Sequence, residues 1–103
     1  MKSKRTIATS IPLSVKKNVW ERDNHCCIFC GRPLPLTMAN MHFISRASGG
    51  LGIEENIGTG CGVCHSKMDQ SLHRKPMLEQ FERYLRRHYK DWNKDDLIYR
   101  KGE

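Results

Sequence analysis

The stretch CIFCGRPLPLTMANMHFISRASGGLGIEENIGTGCGVCHSKMD, residues 27–69, decides how this chain folds. It contains two C-x-x-C pairs, Cys27 with Cys30 and Cys61 with Cys64, separated by thirty residues. Each short turn aims two sulfurs at one point, and two such turns together meet the tetrahedral demand of a structural zinc ion. Gly31 and Gly62 give the backbone the freedom a tight knuckle needs. A thiol redox pair and unliganded core cysteines are the competing readings, but one redox-active pair would leave the other without a purpose. Cys26, the fifth cysteine, adjoins Cys27 and could swap into the site, whereas Cys27 and Cys30 reproduce the spacing of the second pair. An odd cysteine count also argues against a fully paired disulfide scaffold. The opening MKSKRTIATS is basic and has no apolar h-region, so a reducing compartment is expected, where paired cysteines favour metal.

The gap between the knuckles exceeds the roughly 15–20 residues of a simple zinc ribbon, so they enclose an insert. Ala39, Met41 and Phe43 alternate with Met38, Asn40, His42 and Ile44, which predicts a strand over 37–44 with His42 facing away from Phe43. ASGGLG, residues 47–52, suits a turn into a second short strand near 56–59. A helix should then begin around 61–64 and run to about 71, placing His65 and Asp69 one turn apart on one face.

Outward on the N-terminal side, IPLSVKKNVWER (11–22) sets Ile11, Val15, Val19 and Trp20 on one helical face, with Ser10 as N-cap and Pro12 in the first turn. Lys16, Lys17, Glu21 and Arg22 fall on its wet side, and Asp23-Asn24 stops it. GRPLPL (31–36) cannot continue a helix. Residues 1–10 read as a basic flexible tail, and 11–103 as a single domain. On the C-terminal side Pro76 is expected to open a helix over 76–90, with Met77, Phe81, Tyr84, Leu85 and His88 on one stripe and Arg83, Arg86, Arg87 and Lys90 towards solvent. Trp92, Leu97, Ile98 and Tyr99 should fold back onto the core. The fold class is therefore α+β.

With 103 residues, 38% of them hydrophobic, the core is small enough to need a metal staple. No run approaches the roughly 18 apolar residues of a transmembrane helix. Eighteen Lys and Arg against eleven Asp and Glu leave a net charge of +7, which favours a polyanionic partner, although a merely soluble basic protein would look the same.

His42, Asn56 and His65 are weak signals singly, since a strand histidine is more often packed and an asparagine more often a turn former. Together with Arg22, Asp23 and Cys27 in an RD-x-x-x-C opening, Gly49-Gly50, and the C-x-x-C-H ending at His65, they resemble the HNH endonuclease family over about residues 15–75. The resemblance implies a zinc-stabilised ββα-metal (His-Me finger) domain with flanking helices. It also implies hydrolysis of double-stranded DNA, by nicking or by cutting both strands, with one catalytic divalent cation (Mg²⁺, Mn²⁺, Ni²⁺ or Zn²⁺). His42 matches the general base, His65 the ligand of the catalytic ion, and Asn56 the residue that ties the loop and orients His42. Many family members carry an acidic or histidine ligand just before the base. This chain has Met41, a thioether poorly suited to Mg²⁺ or Mn²⁺, so a ligand must come from Asp69, His73 or Asn40. Arg46 would approach the scissile phosphate, and Lys16, Lys17, Arg83, Arg86 and Arg87 would follow the duplex backbone. His25 and His88 read as structural. Met41 also supports the alternative, a catalytically decayed zinc-stabilised nucleic-acid-binding module; a zinc-knuckle protein adaptor fits the charge least. By the same resemblance a cytoplasmic, bacterial or phage origin is expected, as monomer or homodimer, with phage packaging machinery as one setting.

Overall fold

The structure, a computed structural model, describes residues 3–101. The helices are α1 (Lys4–Thr9), α2 (Leu13–Arg22), α3 (Gly62–Asp69) and α4 (Ser71–His88), and the strands are β1 (Met41–His42) and β2 (Ile57–Gly58). Short 3₁₀ turns at Leu36–Met38, Arg46–Ser48, Glu54–Asn56 and Lys94–Leu97 fill the connections. The strands pair antiparallel, with Met41 opposite Gly58 and His42 opposite Ile57, so the α+β class read from the sequence holds. No helix among the described residues is long and apolar enough to cross a membrane.

The main core gathers Met41, Met68, Phe81, Leu85, Trp92 and Leu97. Phe81 and Leu85 stand one turn apart on α4 and are wholly buried, as the 3.6-residue period requires. Phe43 packs edge-on against Phe81 and Trp92, with ring centroids 5.5 and 5.6 Å away. Trp92 and Leu97 do fold back, and Trp92 Nε1 donates to the Glu55 carbonyl at 2.7 Å. A second cluster, Val19, Ala39 and Ile57, lies under α2, against Ile11, Val15 and Trp20.

Several boundaries differ from expectation. Residues 4–9 of the expected flexible tail form α1, and Ser10 caps the end of that helix instead of starting the next. α2 begins at Leu13 with Pro12 as its N-cap, where a missing N–H costs nothing. The first strand shrinks to two residues because Pro35 leads into a 3₁₀ turn at Leu36–Met38. α4 starts at Ser71, so Pro76 lies inside it. The proline leaves the Leu72 carbonyl without its helical donor, but Leu72 is 86% exposed and water can serve instead.

Arg22, expected on the wet side of α2, is instead interior. Its guanidinium makes a bidentate pair with Asp23, Nε to Oδ1 at 2.7 Å and Nη2 to Oδ2 at 3.1 Å. It also donates to the Glu54 and Ile57 carbonyls and to the Tyr89 hydroxyl. Burial opposes the charge, but the Asp23 carboxylate outweighs it and holds Arg22 firmly protonated. Asp23 in turn accepts from the Thr59 N–H and the Tyr84 hydroxyl, so this one pair ties α2, β2 and α4 together.

Candidate metal centre and active site

The sulfurs of Cys27, Cys30, Cys61 and Cys64 all lie within 4.8 Å of one another. Zinc with four sulfurs at about 2.3 Å in a tetrahedron puts those sulfurs about 3.8 Å apart. The Cys30 and Cys61 sulfurs are 3.7 Å apart, so the donor set fits the ion in number, chemistry and spacing. The first knuckle closes by Gly31 N–H donating to the Cys27 carbonyl at 2.9 Å, with Gly31 at φ 78°, a conformation that suits glycine. The second is the start of α3. Cys61 caps this helix, and its sulfur accepts from the Cys64 N–H at 3.4 Å. That donor draws the Cys61 thiol down to about 7, while burial pushes the Cys64 thiol up. Cys26 stands outside the cluster.

The residues between the knuckles build a second feature. Asn56 is wholly buried and ties the loop that precedes it. Its Oδ1 accepts from Ile44 N–H at 2.8 Å, and its Nδ2 donates to the carbonyls of Ile44 at 3.1 Å and Leu51 at 2.8 Å. An Asn56→Asp substitution turns a carboxylate oxygen towards two carbonyls. It is expected to cost about 3 kcal/mol, read as a lower midpoint in urea at unchanged slope.

His42 leaves β1 on the face opposite Met41 and lines a cavity of about 170 Å³ together with Asn40, Arg46, His65, Asp69 and Arg74. His65 and Asp69 reach it from successive turns of α3. A neighbouring cavity of about 270 Å³ shares Asn40, His42 and Arg46 and adds Ser10, Ile11 and Lys16. His42 Nε2 lies 3.1 Å from the Thr9 carbonyl. Burial lowers the His42 pKa below its ordinary value; the Thr9 carbonyl opposes this, and the charges of Arg46 and His65 reinforce it. Among the described residues the cysteine set is the one group of three or more His, Cys, Asp or Glu ligand atoms drawn within 4.8 Å. His42, His65 and Asp69 share a cavity without converging to that degree.

Met41 is wholly buried, and a Cβ on Gly60 would come within 2.5 Å of its sulfur, so this side chain is core and faces no cavity of ligands. His73 does not line the His42 cavity, whereas Asn40 does. Lys16 borders the neighbouring cavity and Lys17 is exposed on α2. Arg83, Arg86 and Arg87 lie apart from both, on the exposed side of α4, where Arg86 pairs with Glu82 and covers the Trp92 ring at 4.8 Å. Sequence reasoning missed Arg74, hidden in an ordinary basic run, and Thr9 and Ser10, which meet His42 and its cavity through α1. Comparison with family models, curated proteins and solved structures finds no match to this chain.

Proposed function

We infer that the chain is a metal-dependent DNA endonuclease of the HNH type, with β1, β2 and α3 as its ββα-metal unit and the cysteine cluster as its zinc-bearing scaffold. The observation that carries this reading is the meeting of His42, His65, Asp69 and Arg46 in one cavity. A neutral imidazole at His42 can take a proton from a water molecule, whose oxygen then attacks phosphorus in line. The bond to the 3′ oxygen breaks and that oxygen takes a proton from solvent, leaving a 3′-hydroxyl and a 5′-phosphate. His65 and Asp69 would hold one divalent cation, which when bound supplies positive charge to the phosphoryl oxygens and the departing oxygen. Two protein ligands suffice for Mg²⁺, which commonly keeps waters and substrate phosphate oxygens in its remaining positions. Arg46 and Lys16 line the two cavities beside His42 and carry the charge that would seat a phosphodiester. The net charge of +7 suits a duplex, and exposed cations on α2 and α4 would position without reading sequence.

The test is conversion of supercoiled plasmid to open or linear forms by purified protein with Mg²⁺, Mn²⁺ or Ni²⁺. Cleavage supports the reading. Retardation of DNA without cleavage in every metal replaces it with the decayed binding module, which the burial of Met41 favours because it removes the usual ligand before the base.

The rate should also fall with acid, because only neutral His42 accepts a proton. Its pKa lies below the ordinary value, so activity should persist as pH drops past about 6.5 and be lost below that. A pH–rate profile with its acid limb above pH 7 would assign the base elsewhere.

A further inference from the structure

We propose that the groove beside the His42 cavity, floored by Phe43 and Leu78, takes the unpaired base of a nucleotide flanking the scissile phosphate, so that the chain acts best on DNA that is locally unpaired at the cut. The assignment rests on the endonuclease reading for where the phosphate sits, while the chemistry of the groove stands apart from it. The groove holds about 520 Å³, within the roughly 300–1,000 Å³ of small-molecule sites, against about 170 Å³ for the His42 cavity. Phe43, Arg74 and Leu78 line both, so the two spaces run into one another. A phosphate held beside His42 therefore has an apolar recess at its side.

The walls of the groove sort by chemistry. Arg74, Leu78 and Glu82 stand on successive turns of α4, with Lys75 and Glu79 beside them. Of the charged groups in the groove, Arg74 is the one that also borders the His42 cavity, where it joins Arg46 in presenting a guanidinium to a phosphodiester. Away from that cavity, Glu79 and Glu82 bring carboxylates that would repel a phosphate but can accept from the N–H groups of a base. Glu82 is itself held by Lys94 Nζ at 3.0 Å and Arg86 Nε at 2.9 Å, and Lys94 Nζ stands 6.0 Å from the Phe43 ring centroid. The floor is braced as well, since Phe81 and Trp92 pack edge-on against Phe43. Phosphate therefore belongs at the Arg74 end, and a base belongs beyond it.

A paired base in a duplex has both faces covered by its neighbours and its hydrogen-bonding edge taken by its partner. What the duplex presents to a protein is phosphates and base edges, which match an apolar floor poorly. An unstacked base offers a wide π face to Phe43 and Leu78, and its burial there offsets the cost of leaving the stack. That cost is least where the base is already unpaired, so the groove becomes a preference for bulged, mismatched or single-stranded DNA over continuous duplex. The exposed cations of α2 and α4 serve all these forms alike, because they touch only the backbone.

The test uses the full zinc-bound chain without added divalent cation, so that binding is read apart from cutting. Three fluorescein-labelled duplexes of one sequence are compared by anisotropy: fully paired, carrying one unpaired cytidine, and carrying an abasic sugar in place of that cytidine. The cytidine bulge should bind roughly tenfold to a hundredfold tighter than the paired duplex, and the abasic form should lose most of that gain. The methyl resonances of Leu78 should shift with the cytidine bulge and not with the abasic form. Leu78→Ser, checked for folding by zinc content and melting temperature, should erase the preference while keeping the affinity for paired duplex. Equal affinity for the cytidine and abasic bulges overturns the proposal, because a flexible backbone then explains the gain. So does equal affinity for the bulged and paired duplexes. If no preference appears and the chain still cuts plasmid with Mg²⁺, the groove assignment fails and the endonuclease reading stands. A base-dependent preference in a chain that cuts no DNA in any metal supports the groove and removes the endonuclease reading.

Discussion

Removing zinc with a strong chelator is expected to unfold the chain, with loss of far-ultraviolet ellipticity and of the cooperative thermal transition. Structural zinc in small domains contributes on the order of 10 kcal/mol apparent, comparable to the roughly 5–15 kcal/mol by which a whole domain is stable. Three of the four cysteines here, Cys27, Cys61 and Cys64, are buried, and among the described residues the partly buried hydrophobics packed around them are Phe29, Leu34 and Met77. Without an ion this cluster is a group of thiols at close quarters with little apolar area to offset the chain entropy of ordering both knuckles. The consequence spreads, because Cys61 also caps α3, and α3 carries Met68 into the main core and His65 and Asp69 into the cavity. Cys61→Ser should therefore behave much like chelation, because it removes a thiolate ligand although a serine hydroxyl can still cap α3. Zinc release should count one ion per chain in a colorimetric assay, and acid should promote release because the ligands must be thiolates. A chelated chain that melts within a few degrees of the untreated one would show that the cluster is a set of ordinary buried cysteines.

The four-cysteine cluster was legible because its signal is local: within each pair the two cysteines and their spacing lie within four positions of each other. The same is true of the stripe Phe81 and Leu85, the strand alternation that turns Met41 inwards and His42 outwards, and the return of Trp92 to the core. Arg22 was misread for the opposite reason. A helical wheel assigns it to the wet side, and only partners distant in sequence, the Glu54 and Ile57 carbonyls and Tyr89, make its burial favourable. Met41 reads as a defective ligand when matched against a motif, yet its place is dictated by Gly60 and Phe81, which leave room for a sulfur and no route to the cavity. Thr9 had no signal at all. What it offers His42 is a backbone carbonyl, and every residue has one; only the docking of α1 selects this one.

His42→Ala is expected to lower the rate of plasmid cleavage by about 10²–10⁴-fold while leaving DNA retardation and zinc content unchanged. The separation follows from where the side chain sits. β1 is held to its partner by backbone bonds, among them Phe43 N–H to the Asn56 carbonyl at 2.8 Å, and the core contacts of this strand belong to Met41 on the other face. Truncating His42 removes one half-buried ring and its contact with Thr9, a loss of about 1 kcal/mol in stability that should leave the fold intact. Added imidazole should restore part of the rate, since the truncated site keeps room for a free ring beside Asn40 and Arg46. His65→Ala should differ in kind: its loss is expected to be relieved in part by raising the concentration of Mn²⁺, as befits a ligand, and imidazole should not substitute for it. If His42→Ala cuts at the parent rate while His65→Ala does not, the ring at position 42 is a structural prop held by Thr9. The proton acceptor must then be sought among the other groups of the cavity, of which Asp69 is the exposed carboxylate.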